Sequence, residues 1–253
     1  MVVVVEPEEK AEKEIPRKAF DKESWHPRTT LGKKVKNGDI TNIDDILEMG
    51  ERILEAEIVD VLLPSLETDL LMIGQSKGKF GGGQRRVFRQ TQKKTAEGNK
   101  PKFATYAVVG DSNGHVGMGF GKSRETVPAR EKAIRNAKLN VMKVSRGCGS
   151  WQCGCGSTHS IPFAVKGRSG SVRITLMPAP KGAGLIVNKE AAKILKLAGI
   201  HDVWSSTLGQ TRTTMNLIMA LSHALIKLSQ TKVQEKHKIL LGLSPREVKE
   251  HEQ

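Results

Sequence analysis

No apolar run in this 253-residue chain is long enough to cross a bilayer, and the apolar start, Met1 to Val5, is too short and too poorly flanked for a signal peptide. Both absences predict a cytosolic protein with no membrane association. Cysteine is nearly missing too. The three present, Cys148, Cys153 and Cys155, fall within eight residues, which is not the spacing of a secreted disulfide framework. Carboxylates run short in the second part of the chain. Residues 81–253 hold 10 acidic against 29 basic side chains, net +19, whereas residues 1–80 hold 17 against 12, net −5. That shortage argues against general acid–base catalysis. Asp111 reads as a turn former and Glu125 as a first-turn residue complementing a helix dipole. His115, His201 and His223 have no neighbour at a spacing that would make a base, and His223 falls within an apolar helix as a core histidine. A folded region this basic repels itself unless a polyanion neutralises it, so nucleic acid is the partner that the charge predicts. At 38% hydrophobic, the chain can still bury the cores of two modest domains.

What is present is organised around Lys102 to Met142. Phe103 to Val109 reads as a strand, and Asn113-Gly114 as a two-residue turn that sends the chain straight back. The returning strand sets Val116, Met118 and Phe120 on one face and Gly117, Gly119 and Gly121 on the other. A bare glycine face admits a close neighbour, either a helix or an RNA backbone. Ser123 offers an N-cap for a helix whose apolar stripe is Val127, Ile134, Ala137 and Val141, with Lys132 and Arg135 on its polar side. A hairpin feeding a basic helix is a small RNA-binding layout.

Upstream, residues 1–24 are charged and proline-marked, a composition that predicts disorder. Trp25 to Ile40 is basic with few apolar anchors, and reads as an extended segment on a partner or as a linker. Thr41 or Asn42 caps a helix through Ile43, Ile46, Leu47, Ile53, Leu54, Ile58 and Val61, stopped by Pro64. Its acidic outer side speaks against RNA contact, so the stripe is core or an intersubunit face. Gly74 to Arg86 is glycine-rich and basic, either a flexible loop or an arm that orders on RNA. Val87 to Lys94 reads as a strand and Thr95 to Asn99 as a turn. Around these strand ends cluster Arg85, Arg86, Arg89, Lys93, Lys94, Lys100 and Lys102 with only Glu97 against them, a set suited to clamping phosphates.

Beyond Met142 the pattern changes. Arg146 to His159 is loop-like, Ile161, Phe163 and Val165 alternate as a strand, Lys166 to Gly170 turns, and Val172, Ile174 and Leu176 alternate again. Pro178 to Gly184 is a loop. Asn188 caps a helix carrying Ala191, Ile194, Leu195 and Ala198, ended by Gly199. A short strand around Val203-Trp204 follows, then a helix from Thr214 through Leu217, Leu221, Ala224 and Leu228. This is a second α/β unit with its own core; residues 232–253 are charged and carry no readable pattern.

Two motifs invite chemistry. The glycines before Lys122-Ser123 fail as a Walker loop, which would need glycine where Val116 stands, and they fail the dinucleotide spacing as well. Cys148, Cys153, Cys155 and His159 offer four soft ligands in twelve residues, the donor set of a structural zinc, although Cys153-x-Cys155 is tight for one metal and reduced loop thiols are the alternative. The His-x-Glu signature of a catalytic deaminase zinc is absent.

Several linked runs closely resemble the universal small-subunit ribosomal protein five family. They are Val108-Val-Gly-Asp-Ser-Asn-Gly-His-Val-Gly-Met-Gly, Gly121-Lys-Ser-Arg-Glu-Thr-Val-Pro, Leu176-Met-Pro-Ala-Pro-Lys-Gly-Ala-Gly-Leu and Leu197-Ala-Gly-Ile-His-Asp-Val. Trp25-x-Pro27-x-Thr-Thr-Leu-Gly and the long helix after it look like the archaeal and eukaryotic form. The resemblance implies an α+β chain: a double-stranded-RNA-binding-like domain, then a C-terminal α/β domain with a left-handed β-α-β crossover. The expected division is an extension at 1–40, the first domain at 41–144, the second at 145–230 and a charged tail at 231–253. Implied partners are small-subunit rRNA, neighbouring small-subunit ribosomal proteins and mRNA at the entry channel, in the cytoplasmic ribosome, with a structural, non-enzymatic role at the head–body region and in decoding accuracy. The loop from Thr95 to Lys102 would reach RNA, and Lys181 would be the cation of the loop from Pro178 to Gly184. The cations assigned to RNA are Arg85, Arg86, Arg89, Lys93, Lys94, Lys100, Lys102, Lys122, Arg124, Lys132, Arg135, Arg146, Lys166, Arg168 and Lys181. An RNA-modifying enzyme built on the Cys/His cluster and a free RNA chaperone are the competing readings.

Overall fold

Strand β3 (Gly98–Gly110) is 13 residues long in the computed structural model, which describes residues 25–76 and 85–243, and the first sheet is assembled on it. The readings made above for residues 1–24, 77–84 and 244–253 lie outside the described residues. One edge of β3 takes two strands end to end, β2 (Arg89–Thr95) along its first half and β1 (Glu67–Leu71) along its second. The other edge takes β4 (His115–Ser123), then β5 (Val141–Lys143), all antiparallel. The β2–β3 connection is a tight tip at Ala96-Glu97. Gly98 to Lys102, expected within a loop, are therefore strand residues paired with β2.

The turn between β3 and β4 differs from the two-residue form expected at Asn113-Gly114. It runs through residues 111–114, and the positive φ values are at Ser112 (58°) and Gly114 (107°). Asp111 shapes it: its Oδ1 accepts from the amides of Asn113 (2.8 Å) and His115 (3.1 Å). The Ser112 amide also donates to Leu197 O in the second unit at 2.9 Å, a contact invisible to local pattern.

Helix α4 (Thr126–Leu139) lies on the glycine face of β4 and settles what that face admits. A Cβ on Gly117, Gly119 or Gly121 would stand 2.2, 2.1 and 2.1 Å from the α4 backbone at Ala137 O, Ala137 N and Ala129 O. Only alanine-sized groups fit on the helix at that separation, so the buried stripe is Ala129, Ala133 and Ala137. Of the stripe read from sequence, Ala137 is buried and Ile134 packs against the same cluster, whereas Val127 is 58% exposed and Val141, though buried, belongs to β5. Ser123 is not the cap. It ends β4 opposite Phe103, and Glu125 holds the N-cap position.

The single helix expected from Ile43 to Val61 is two, and a third precedes it. Thr30–Asn37 forms α1, where an extended segment was expected, with Thr29 Oγ1 accepting from Gly32 N at 3.0 Å and Gly38 closing it at φ 91°. Ile43–Met49 forms α2, ended by Gly50 at φ 71°, and Ala56–Leu62 forms α3. Glu55 explains the break, because its carboxylate accepts from the amides of Arg28 (2.8 Å) and Thr29 (2.6 Å) and pulls the chain across the start of α1. The apolar stripe is core as expected: Ile43, Ile46, Ile53 and Ile58 cluster with Ala107, Val109, Ala133, Ala137 and Val141. Leu54 is the exception, 62% exposed.

The second sheet has the order β6 (Val165–Ser169), β7 (Val172–Pro178), β9 (Val203–Leu208), β8 (Leu185–Ile186). Strand β8 runs parallel to β9, with α5 (Lys189–Leu197) between them in a β-α-β unit. Helix α6 (Thr214–Gln230) covers the sheet and α7 (Glu235–Leu240) follows. Ile161 and Phe163 precede the strand instead of forming it, and Lys166 to Ser169 are strand, with the turn at Gly170 (φ 59°). Gly167 is there for packing: a Cβ on it would lie 2.0 Å from Ala220 O of α6. His223 is exposed, not core, with Nδ1 2.9 Å from Arg168 O. Asn188 and Gly199 cap and end α5 as the sequence predicts.

The second unit does not keep a core to itself. Ile174, Leu176, Ile194, Leu195, Leu217 and Leu221 form one cluster with Tyr106, Val108, Val116 and Met118, which line the face of the first sheet away from α4. Each such side chain contributes about 1.5–3 kcal/mol on burial, so both sheets depend on the shared cluster.

Candidate functional site

Strand register sorts the cations. Antiparallel partners point to the same side, and β3 aligns Arg89 with Ala104, Thr91 with Lys102, and Lys93 with Lys100, while Ala104 aligns with Lys122 across the other edge. Arg89, Lys93, Lys100, Lys102 and Lys122 therefore share one face, continuous with Tyr106 and with Phe120, which is 37% exposed. Lys94 projects from the opposite face, and Arg124, Lys132 and Arg135 are exposed after β4 and on α4. On the second sheet Lys166 and Arg168 are exposed on β6, and Arg168 stands directly opposite exposed Arg173 of β7. Lys181 is exposed in the loop before β8. Arg86 is also exposed.

Like charges face one another at two places, Lys93 against Lys100 and Arg168 against Arg173, an arrangement that costs stability in the free chain. Of the cations assigned from sequence, Lys100 alone has a carboxylate partner among the described residues, exposed Glu97. Four others among the described residues bond the protein itself: Arg168 Nε donates to Gly170 O (3.1 Å) and Arg89 to Met215 Sδ (3.6 Å). Arg146 is half-buried and donates to Ser112 O and Asn113 O (3.3 and 2.7 Å), and Arg85 donates to Arg212 O (3.3 Å).

The acidic N-terminal part is used differently: its carboxylates bind cations of the body. Asp60 pairs with Lys138 (2.6 Å), Asp69 with Lys193 (3.0 Å) and Asp44 with Lys143 (2.9 Å). His115, read as partnerless, sits between two carboxylates, Nδ1 2.6 Å from Asp111 and Nε2 2.9 Å from Asp44. With a carboxylate at each nitrogen, the protonated ring is the form that can donate to both. The Asp111 hydrogen bond raises its pKa, burial opposes this, and Asp44 adds to the rise. Burial alone would raise both carboxyls, but the hydrogen bonds from His115, and from backbone amides at Asp111 and Lys143 at Asp44, hold them below the ordinary carboxylate value. No spacing rule reaches this junction, because Asp44 is 71 residues from His115.

Sequence reasoning also passed over Trp151, 89% exposed in the loop between β5 and β6, and Arg173. The alternation of Val172, Ile174 and Leu176 already placed Arg173 on the outer face. That loop holds the four soft ligands together: the donor atoms of Cys148, Cys153, Cys155 and His159 all lie within 4.8 Å of one another. Its ends are paired by Gly147 N to Ser160 O and Ser160 N to Gly147 O, both 2.9 Å. Burial pushes the Cys148 thiol up to about 12. Burial works against ionisation of Cys155 too, yet hydrogen bonds from Ser157 and the neighbouring thiols bring it down to about 6.

No helix among the described residues is long and apolar enough to cross a membrane. Residues 87–145 match the family described as "Ribosomal protein S5, N-terminal domain", and residues 167–238 match "Ribosomal protein S5, C-terminal domain". A protein named small ribosomal subunit protein uS5 from Nanoarchaeum equitans is 54% identical over 212 residues, spanning 84% of this chain and 91% of its own length. Proteins of the same name from Methanocaldococcus jannaschii (46% over 224 residues, 88% of this chain and 96% of theirs) and Methanococcus maripaludis (44% over 237 residues, 94% and 97%) are also similar. These archaeal relatives agree with the form expected from the segment beginning at Trp25. The chain belongs to the ribosomal protein S5 family, whose members are structural components and not enzymes.

Proposed function

We propose that this chain is a structural component of the small ribosomal subunit, in the cytoplasm, and that it binds small-subunit rRNA through its two outward cationic faces. The supporting observation is the uneven use of charge. Acids of the N-terminal part pair with Lys138, Lys143 and Lys193, while Lys93, Lys102, Lys122, Lys166, Arg168 and Lys181 have no carboxylate partner among the described residues. Lysines and arginines left facing solvent and one another are stabilised when phosphates neutralise them. Recognition of this kind follows helix shape more than base sequence, with exposed Trp151 able to stack on an unpaired base.

The finer reading comes from the family resemblance. The hairpin β2–β3 with β4 and α4 is taken as a double-stranded-RNA-binding-like domain, and β8-α5-β9 as the left-handed crossover of the C-terminal one, divided near residue 144. The location is the head–body region, beside neighbouring ribosomal proteins and the mRNA entry channel, where the chain supports decoding accuracy. The exposed apolar residues Met49, Leu54 and Leu208 suit protein neighbours. Filter-binding of the full chain to small-subunit rRNA against salt tests the RNA reading. The expected result is a steep linear fall of log affinity with log salt; a flat response refutes it.

A further inference from the structure

We propose that Cys148, Cys153, Cys155 and His159 form a closed, four-coordinate structural zinc site that fixes the loop of Lys181. The donor atoms lie within 4.8 Å of one another whether or not the chain binds RNA. Zinc bonds of about 2.3 Å to sulfur and about 2.0 Å to nitrogen put tetrahedral donors roughly 3.5–3.8 Å apart. Cys153 Sγ already lies 3.9 Å from His159 Nε2, and all four donors lie within 4.8 Å of one another, so closure needs a contraction of roughly 1.0–1.3 Å at most. Gly154, whose surroundings are empty within 4 Å, gives the loop room to make it.

The histidine is oriented for a metal. Its Nδ1 is 2.7 Å from Asp202 Oδ2, and donation to that carboxylate leaves the Nε2 lone pair facing Cys153. A carboxylate behind a ligating imidazole fixes its tautomer and strengthens it as a donor. Asp202 is buried, and its other oxygen accepts from the amides of Gly182 (3.1 Å) and Gly184 (2.8 Å). One line of contacts thus runs from the donor cluster through His159 and Asp202 to the loop that presents Lys181. Backbone bonds from Gly147 to Ser160, Cys148 to Leu241 and Gly149 to Ile161 hold the base of the loop between β5 and β6, while Trp151, Gln152 and residues 154–158 beyond it are largely solvent-facing. Three thiolates and an imidazole are a zinc donor set, and four protein donors leave no open position for catalysis. The cysteines bind zinc as thiolates, so any thiol still protonated gives up its proton on binding.

The test uses the purified full chain. Elemental analysis should find one zinc per chain, and replacing it with cobalt should give the absorption of a tetrahedral thiolate complex. Asp202→Asn should weaken zinc affinity roughly 10–100-fold. Zinc removal should speed amide exchange at Gly182 and Gly184. Sub-stoichiometric zinc, or a cobalt spectrum without thiolate charge transfer, overturns the site. Unchanged exchange at Gly182 and Gly184 overturns the link to the Lys181 loop. The wild-type readings decide the question even where Cys155→Ser fails to fold.

Discussion

Replacing Lys93, Lys102 and Lys122 together with glutamine strips three cations from one face of the first sheet without opening the core, since all three are exposed. Each phosphate contact contributes roughly 0.9 to the slope of log affinity against log salt on a B-form duplex, and about 0.7 on a single strand. Losing three should flatten the slope by roughly 2–3 units. At about 0.1 M salt the same contacts are worth roughly two to three decades of affinity, so binding falls about 10²–10³-fold there. The loss should be uniform across RNA sequences, because phosphates carry no base identity. Stability should move the other way. Lys93 opposes Lys100, so removing its charge should hold or raise the thermal midpoint of the free chain. Parallel filter-binding titrations and thermal melts check both halves. An unchanged salt slope, or a collapsed midpoint, would refute the reasoning.

Gly119→Ala places a methyl 2.1 Å from Ala137 N and 2.2 Å from Ala133 O, backbone atoms that move only if α4 lifts, and should cost about 3 kcal/mol or more in denaturant unfolding. Gly154→Ala, with nothing within 4 Å, should be neutral by the same measure; equal midpoints for the two variants would contradict the packing account. His115 has a raised pKa, so its contribution is complete below about pH 6.5 and fades as pH rises through the folded value. Asp44 and Asp111 have lowered values, so theirs is present above about pH 3.9 and fades below it. The thermal-midpoint gap between wild type and His115→Gln should therefore be widest between these limits and narrow as pH rises through the folded His115 value, whereas a gap constant over the whole range would refute a charged His115 at this junction. Asp60→Asn leaves half-buried Lys138 without its carboxylate and should destabilise by about 1 kcal/mol, whereas exposed Glu97→Gln should change the midpoint little.

The hairpin and α4 were legible because period-two alternation and a glycine face are local signals, and they survive into the fold at Val116, Met118 and Phe120. Long-range bonds defeated the rest. Glu55 reaching back to Arg28 and Thr29 broke the expected N-terminal helix, and Ser112 bonding Leu197 reshaped the turn. Gly167 looked like a turn residue because α6, which it admits, lies over fifty residues away. The cations were nameable from composition, but only register showed that Lys94 faces away from Lys93. His115 could not be read, since its second carboxylate comes from α2. The cysteine set was visible as residue types, while Asp202, which orients His159, was not.

Sedimentation of a cell extract containing the tagged chain tests the central claim most directly. Through gradients at moderate salt the chain should travel with the small ribosomal subunit and leave it only when the RNA is digested or the salt is raised. Recovery at the top of the gradient with the free proteins, while the subunits remain intact, would contradict the account.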